Sequence, residues 1–356
     1  MAQHPATVRA PSEATFGQVA FVPRRTGCQR GRMRLPTITD VLAARGVLAG
    51  YLPVTPMWSY PGLSAATGAT TFVKQEHVQP TGAFKVRGGI VLAHGMSPTE
   101  RKAGILGYST GNHAQSLAYA AFQFGMPCTI VMPVNPNPIK AAAVRALGAE
   151  LVEFGENFDV AREHATDLAK QTGARLVSSG DEPDLIAGVG TVYLEIFDQE
   201  PALDAVLVPI GGGSGAAGAC IVAAAMAPGC KIIGVQSSAS PAAHDSWQAG
   251  HGVRRPNHTV VEAVATGGTF DLPQQILRAG LADFLLVDDA DIQAAQRLML
   301  RVAHTLAEGG GATALAGLLK YRHMFAGQRV AVVCTGGNVS VAELDAVVHE
   351  GSGSDA

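Results

Sequence analysis

The sequence predicts an α/β protein with two domains, each holding a twisted, mostly parallel sheet flanked by helices. Three observations carry this. Short β-branched runs alternate with longer stretches of helical periodicity. The runs fall into two groups along the chain, as two sheets would require. Hydrophobic residues make up 47% of the 356 positions and charged residues only 15%, which suits strands buried on both faces.

Thr39 and Asp40 offer a cap for a helix over 41–48. Strands are expected over 71–74, 104–108, 128–132, 151–154, 176–178, 205–209, 231–236 and 330–334. Helices are expected over 113–124, 139–147, 158–171 and 292–308. Residues 1–33 hold five arginines (Arg9, Arg24, Arg25, Arg30, Arg32) without periodicity and read as a loose extension that ends at Met33. Its arginines hint at a targeting peptide, but Glu13 and the prolines count against that. We expect residues 34–103 and 182–356 to form a large discontinuous domain, and residues 104–181 a small one. The C-terminus is a Gly-Ser tail, and no internal repeat is seen.

The formal net charge of −3 gives no electrostatic case for nucleic acid or an anionic membrane as a partner. The apolar stretch over 205–226 is broken by Pro209 and by Gly211 to Gly215, so strand, turn and helix fit better than a membrane span. The five cysteines (Cys28, Cys128, Cys220, Cys230, Cys334) are scattered and show no zinc-like spacing with the eleven histidines. They read as reduced, mostly buried thiols of a soluble, cytoplasmic protein.

Ligand chemistry in open α/β sheets gathers where strands end at their carboxyl edges, and four loops there stand out. In the first, Gln79-Pro80-Thr81-Gly82-Ala83-Phe84-Lys85, a lysine follows a turn and an aromatic and precedes glycines. A lone lysine is usually solvated; this setting would desolvate it and lower its pKa, as a Schiff-base nucleophile requires. In the second, Ser109-Thr110-Gly111-Asn112-His113 opens a helix whose free N–H groups suit a carboxylate, although Ser109 or Asn112 would also serve as a plain cap. In the third, Gly211-Gly212-Gly213-Ser214-Gly215 lets backbone amides wrap a phosphate. This segment also contains a GxGxxG from Gly213 to Gly218, but the next strand ends in Gln236 rather than the acid that a dinucleotide ribose needs. The fourth, Cys334-Thr335-Gly336-Gly337-Asn338, is a tight turn that offers a neutral hydroxyl.

In order and spacing, the four loops resemble the fold type II pyridoxal-phosphate enzymes, in particular the threonine/serine dehydratase and serine racemase branch, from about Pro56 to Asn338. Asn137-Pro138 leading to Lys140, Leu147-Gly148-Ala149-Glu150, and the run from Ile186 to Thr191 add to the match. The resemblance implies that Lys85 carries pyridoxal 5′-phosphate as a Schiff base and later takes the α-proton. Phe84 would pack along the ring, Asn112 would bond the ring 3-hydroxyl, and Ser109 to His113 would grip the substrate carboxylate. Gly211 to Gly215 would hold the phosphate, with Ser214 where many relatives have glycine. Thr335 would bond the pyridine nitrogen. A neutral hydroxyl there leaves the ring a weaker electron sink and favours prompt loss of a β-substituent. The expected reaction is elimination of water from a small β-hydroxy amino acid, threonine or serine, to a 2-oxo acid and ammonia.

Three departures from the family pattern matter. Thr110 stands where racemases of this family have serine and dehydratases commonly alanine, so it is a second candidate catalytic group, although packing or capping is the simpler role. Gln236 and the serines after it lack the hard ligands of a cation site, so no metal is expected there, with Asp245 nearby as the only reservation. The residues after Asn338 leave no room for a regulatory domain, which implies a catabolic enzyme; a homodimer is expected on resemblance alone. Other substrates (3-hydroxyaspartate, phenylserine, an amino acid from compatible-solute breakdown), racemisation and β-replacement stay open.

Overall fold

The computed structural model describes residues 34–136, 138–156 and 158–349; the extension over 1–33, with Cys28, and the tail over 350–356 lie outside them, as does Asn137. The strands are β1 (Met57–Ser59), β2 (Thr70–Gln75), β3 (Ile105–Tyr108), β4 (Cys128–Met132), β5 (Glu150–Glu153), β6 (Arg175–Val177), β7 (Ala205–Pro209), β8 (Lys231–Ser237), β9 (Asp283–Val287) and β10 (Arg329–Cys334). They form a six-stranded sheet in the order β1-β2-β10-β7-β8-β9 and a four-stranded sheet in the order β5-β4-β3-β6. Every pairing is parallel except that of β1 with β2.

The sheets are buried on both faces, as their unbroken apolar runs require. In β10, Ala331 and Val333 point into one core cluster, and Val330, Val332 and Cys334 into the other. β7 divides likewise, with Val206 and Val208 on one side and Ala205 and Leu207 on the opposite side. The four-stranded sheet also has a core on each face, with Ile130 and Val131 in different clusters. Cys128, Cys220, Cys230 and Cys334 are free and buried, and burial raises the thiol pKa of each.

Three expectations need correction. The first helix, Ile38–Leu48, is capped by Thr37 and not by Thr39: the Thr37 N–H donates to Asp40 Oδ2 at 2.8 Å, so Asp40 serves as the third residue of a capping box. The helix expected over 292–308 is Asp289–Val302 and stops there, leaving Glu308 as the cap of the next helix, Gly309–Lys320. Two strands, β1 and β9, were not anticipated.

Candidate active site

The topology gathers the four loops. β2, β10 and β7 are neighbours in one sheet, so the segments leaving their carboxyl ends lie side by side; the loop after β3 comes from the other sheet. All four line one cavity of about 890 Å³. Phe84, Lys85, Ser109, Thr110, Gly111, Asn112, His113, Gly211, Gly212, Gly213, Ser214, Gly215 and Thr335 all reach it.

Lys85 begins the helix Lys85–Gly95, which is wedged against two others through glycines. A Cβ on Gly89 would lie 2.4 Å from Ser116 Oγ, and one on Gly88 would lie 3.0 Å from the Leu185 carbonyl. Ser116 Oγ also donates to the Lys85 carbonyl at 2.6 Å, so the first turn is held from the side. The Phe84 N–H donates to the Thr335 carbonyl at 3.0 Å, and Ala83 bridges Gly336, which ties the first loop to the fourth. The Lys85 ammonium thus enters the cavity from a fixed base. It donates to Ser214 Oγ at 2.7 Å and lies 5.3 Å from the Phe84 ring centre. Burial pushes its pKa down to about 8, within reach of the free amine that nucleophilic chemistry needs.

The glycine loop is shaped by close approach. Gly213 has φ of +87° and caps the helix Ser214–Met226, whose first N–H groups have no partner within the helix. A Cβ on Gly211 would stand 2.3 Å from the Ala263 carbonyl oxygen, and one on Gly215 would stand 3.2 Å from the Phe84 ring. Opposite, Asn112 opens the helix Asn112–Phe124. His113 is buried, neither ring nitrogen makes a hydrogen bond of normal geometry, and burial followed by the Lys85 charge holds its pKa down to about 3. A neutral imidazole cannot pair with a carboxylate as a cation, which leaves the loop's backbone N–H groups and neutral side chains as the donors it offers to the cavity. Thr335 is buried, with Oγ1 donating to the Gly310 carbonyl at 3.1 Å.

Glu308 was not anticipated. Its carboxyl lies in the cavity wall and accepts from Asn112 Nδ2 at 2.5 Å, and burial pushes its pKa up to about 7. Further out stand Lys140 paired with Glu262, and Arg162 and Arg254, 3.3 and 3.4 Å from Asp159. Of these, the sequence singles out Lys140, through its motif, and Glu262, within the 261–267 segment expected to bear on substrate width. Gln236 is fully buried and accepts from the His244 N–H at 3.1 Å, while Asp245 is engaged by Arg255 and His244. Among the described residues, no group of three or more His, Cys, Asp or Glu is arranged to hold a metal ion.

The residues present fit pyridoxal phosphate: a half-buried lysine with a lowered pKa, an aromatic beside it, and bare glycine backbone at a helix N-terminus. The comparisons agree. The family model for pyridoxal-phosphate dependent enzymes matches residues 49–336. The chain belongs to the pyridoxal-phosphate dependent enzymes, with the type II fold, and uses that cofactor. It is 35% identical over 310 residues to an L-threo-3-hydroxyaspartate ammonia-lyase from a Pseudomonas species, covering 87% of this chain and 97% of that one. It is 34% identical over 316 residues to an L-threonine ammonia-lyase from Thermotoga maritima, covering 88% and 79%. The solved structure of maize serine racemase superposes with a TM-score of 0.84 at 27% identity, over 89% of this chain and 98% of that one.

Proposed function

We propose that this enzyme is an ammonia-lyase that removes water from a small β-hydroxy amino acid, with threonine and serine as its substrates. The observation that carries the reading is Lys85, a half-buried amine with only a hydroxyl as its polar partner, set between a glycine phosphate cup and a helix N-terminus suited to a carboxylate. Ammonia-lyase relatives at about a third identity along most of the chain support it.

Pyridoxal phosphate, when bound, supplies an electron sink conjugated to the substrate α-carbon. Lys85 would hold it through Nζ and, once that nitrogen is free again, would accept the α-proton there, with Ser214 Oγ keeping the nitrogen in place. The backbone of Ser109 to His113 orients the substrate carboxylate. Phe84 would flank the ring, Asn112 would bond its 3-hydroxyl, and the amides of Gly211 to Gly215 would take the phosphate. Thr335, whose hydroxyl now donates to the Gly310 carbonyl, would offer that neutral hydroxyl to the pyridine nitrogen. Loss of the α-proton and of the β-hydroxyl as water leaves an enamine, whose hydrolysis gives the 2-oxo acid and ammonia. Thr110 borders the same space and packs there without a proton-transfer role. On the same reading the enzyme is a cytoplasmic homodimer; no helix among the described residues is long and apolar enough to cross a membrane.

A specific observation supports a second substrate, 3-hydroxyaspartate. Lys140, Arg162 and Arg254 line the cavity facing the carboxylates of Glu262 and Asp159, and a second substrate carboxylate could replace one of those. Incubating the cofactor-loaded enzyme with L-threonine, L-serine and L-threo-3-hydroxyaspartate tests both readings. Equal release of 2-oxo acid and ammonia from the first two supports the main reading; release only from the third moves the substrate to the dicarboxylate. A yellow protein that releases neither product from any of them contradicts both.

A further inference from the structure

Asn112 is held by a chain of hydrogen bonds whose direction is dictated at one end. Asn338 Nδ2 donates to the Thr81 carbonyl at 2.8 Å, and a backbone carbonyl only accepts. That identifies the Asn338 atom as nitrogen. The same nitrogen lies 2.7 Å from Asn112, so the Asn112 atom facing it must be the acceptor Oδ1. The Asn112 Nδ2 therefore points the other way, to Glu308 Oε1 at 2.5 Å. One of its two hydrogens is used there and the second is left over.

The surroundings are cut to fit this chain. Gly82 has φ of +67°, and a Cβ on it would lie 2.5 Å from Asn338 Oδ1. A Cβ on Gly336 would lie 2.2 Å from Glu308 Oε1. The Glu308 N–H donates to the Gly336 carbonyl at 3.1 Å, so the carboxyl and the loop after β10 are fixed together. Three segments far apart in sequence thus meet on one amide, and that amide belongs to the cavity wall.

We propose that Glu308 and Asn338 are positioning residues that lock the Asn112 amide in one orientation, reserving its second N–H for the cofactor ring. The inference rests on the placement of Asn112 against the ring in the reading above. It predicts that Glu308 acts through its acceptor oxygen, so a side chain that keeps this oxygen keeps the function.

The test is titration of the cofactor-free protein with pyridoxal phosphate, following the visible band of the bound cofactor, for the wild type and for N112A, E308A, E308Q and N338A. N112A, E308A and N338A should each bind about tenfold more weakly, as loss of one orienting hydrogen bond implies, and shift the band. E308Q, whose amide oxygen still accepts from Asn112, should stay within about threefold of wild type. Wild-type binding and band position in E308A and N338A, beside an impaired N112A, would overturn the relay. Failure of E308Q to rescue what E308A loses would do the same. An unchanged N112A would remove the placement of Asn112 and the relay with it. If E308A does not fold, N338A reads the relay from its other end, with weakened binding supporting it and unchanged binding overturning it. No substrate is present, so a failure of the ammonia-lyase reading leaves the result standing.

Discussion

Lys85 and Arg87 stand two residues apart on one helix, yet they meet opposite environments. Arg87 is fully enclosed: Nη2 meets Glu76 at 2.7 Å and Nη1 meets Glu195 at 2.6 Å, while Lys74 reaches the same Glu195 at 2.7 Å. Thr55 completes the cluster with a 2.5 Å hydrogen bond to Glu76. Against the cost of burial, the two carboxylates raise the Arg87 pKa. Lys85, facing the cavity, has no carboxylate to pair with among the described residues, only the Ser214 hydroxyl, and burial lowers its pKa to about 8. One side of the helix joins the turn after β2 to the helix Pro183–Gln199 through its charge; the other leaves an amine facing the cavity. Burial acts against the charge of both side chains, and the difference is that only Arg87 has carboxylates to offset it.

The comparison breaks most visibly at Lys85. Lys85→Ala should cut turnover by at least about 10³-fold, since the cofactor anchor and proton acceptor are lost together, while the melting temperature changes little. Loss of the visible band with an intact melting curve is the expected record. Arg87→Met should do the reverse. Glu76 would lose its ion pair and Glu195 would keep only Lys74, at a cost of about 3–5 kcal/mol in urea unfolding, while the cavity groups of the molecules that do fold stay in place. A smaller effect is expected from Ser214→Ala. Lys85 loses its one hydrogen-bond partner there, so kcat should fall about three- to tenfold with the fold unchanged.

A pH dependence is expected from Glu308. Its pKa in the folded protein is raised from 4.5 to about 7, chiefly by burial, with Asn112 and Lys140 opposing and Glu343 and Glu262 adding to it. The folded state therefore holds this proton more tightly than the unfolded chain. Stability is undiminished below about 4.5 and declines as pH rises towards about 7, on the order of 1–3 kcal/mol across that span. Unfolding of the cofactor-free protein between those values should show the decline, and Glu308→Gln should flatten it.

Much of the fold is legible in the sequence. The eight expected strands all form, because buried parallel strands are short unbroken runs of β-branched and apolar residues bounded by turns. β1 escaped because it is three residues at an exposed edge, pairing antiparallel. β9, Asp283-Phe284-Leu285-Leu286-Val287, follows a helix directly and lacks β-branching except at its end. The lysine, glycine and Asn112 loops were readable because each has its own local chemistry. Glu308 has none: it is a single acid before Gly309-Gly310-Gly311, and its partner lies 196 residues away. The triple glycine was the available signal. A Cβ on Gly311 would lie 2.3 Å from the Gly336 carbonyl oxygen, so the run marks a close backbone approach rather than a flexible linker.

The central claim is that Lys85, and neither Lys74 in the buried network nor Lys140 at the rim, carries the cofactor. Borohydride reduction of the cofactor-loaded protein fixes the bound group on its lysine, and peptide mass mapping then locates it. The account predicts the label on the peptide containing Lys85 and on no other. A label on Lys74 or Lys140, or a visible band that survives reduction without any labelled lysine, would contradict it.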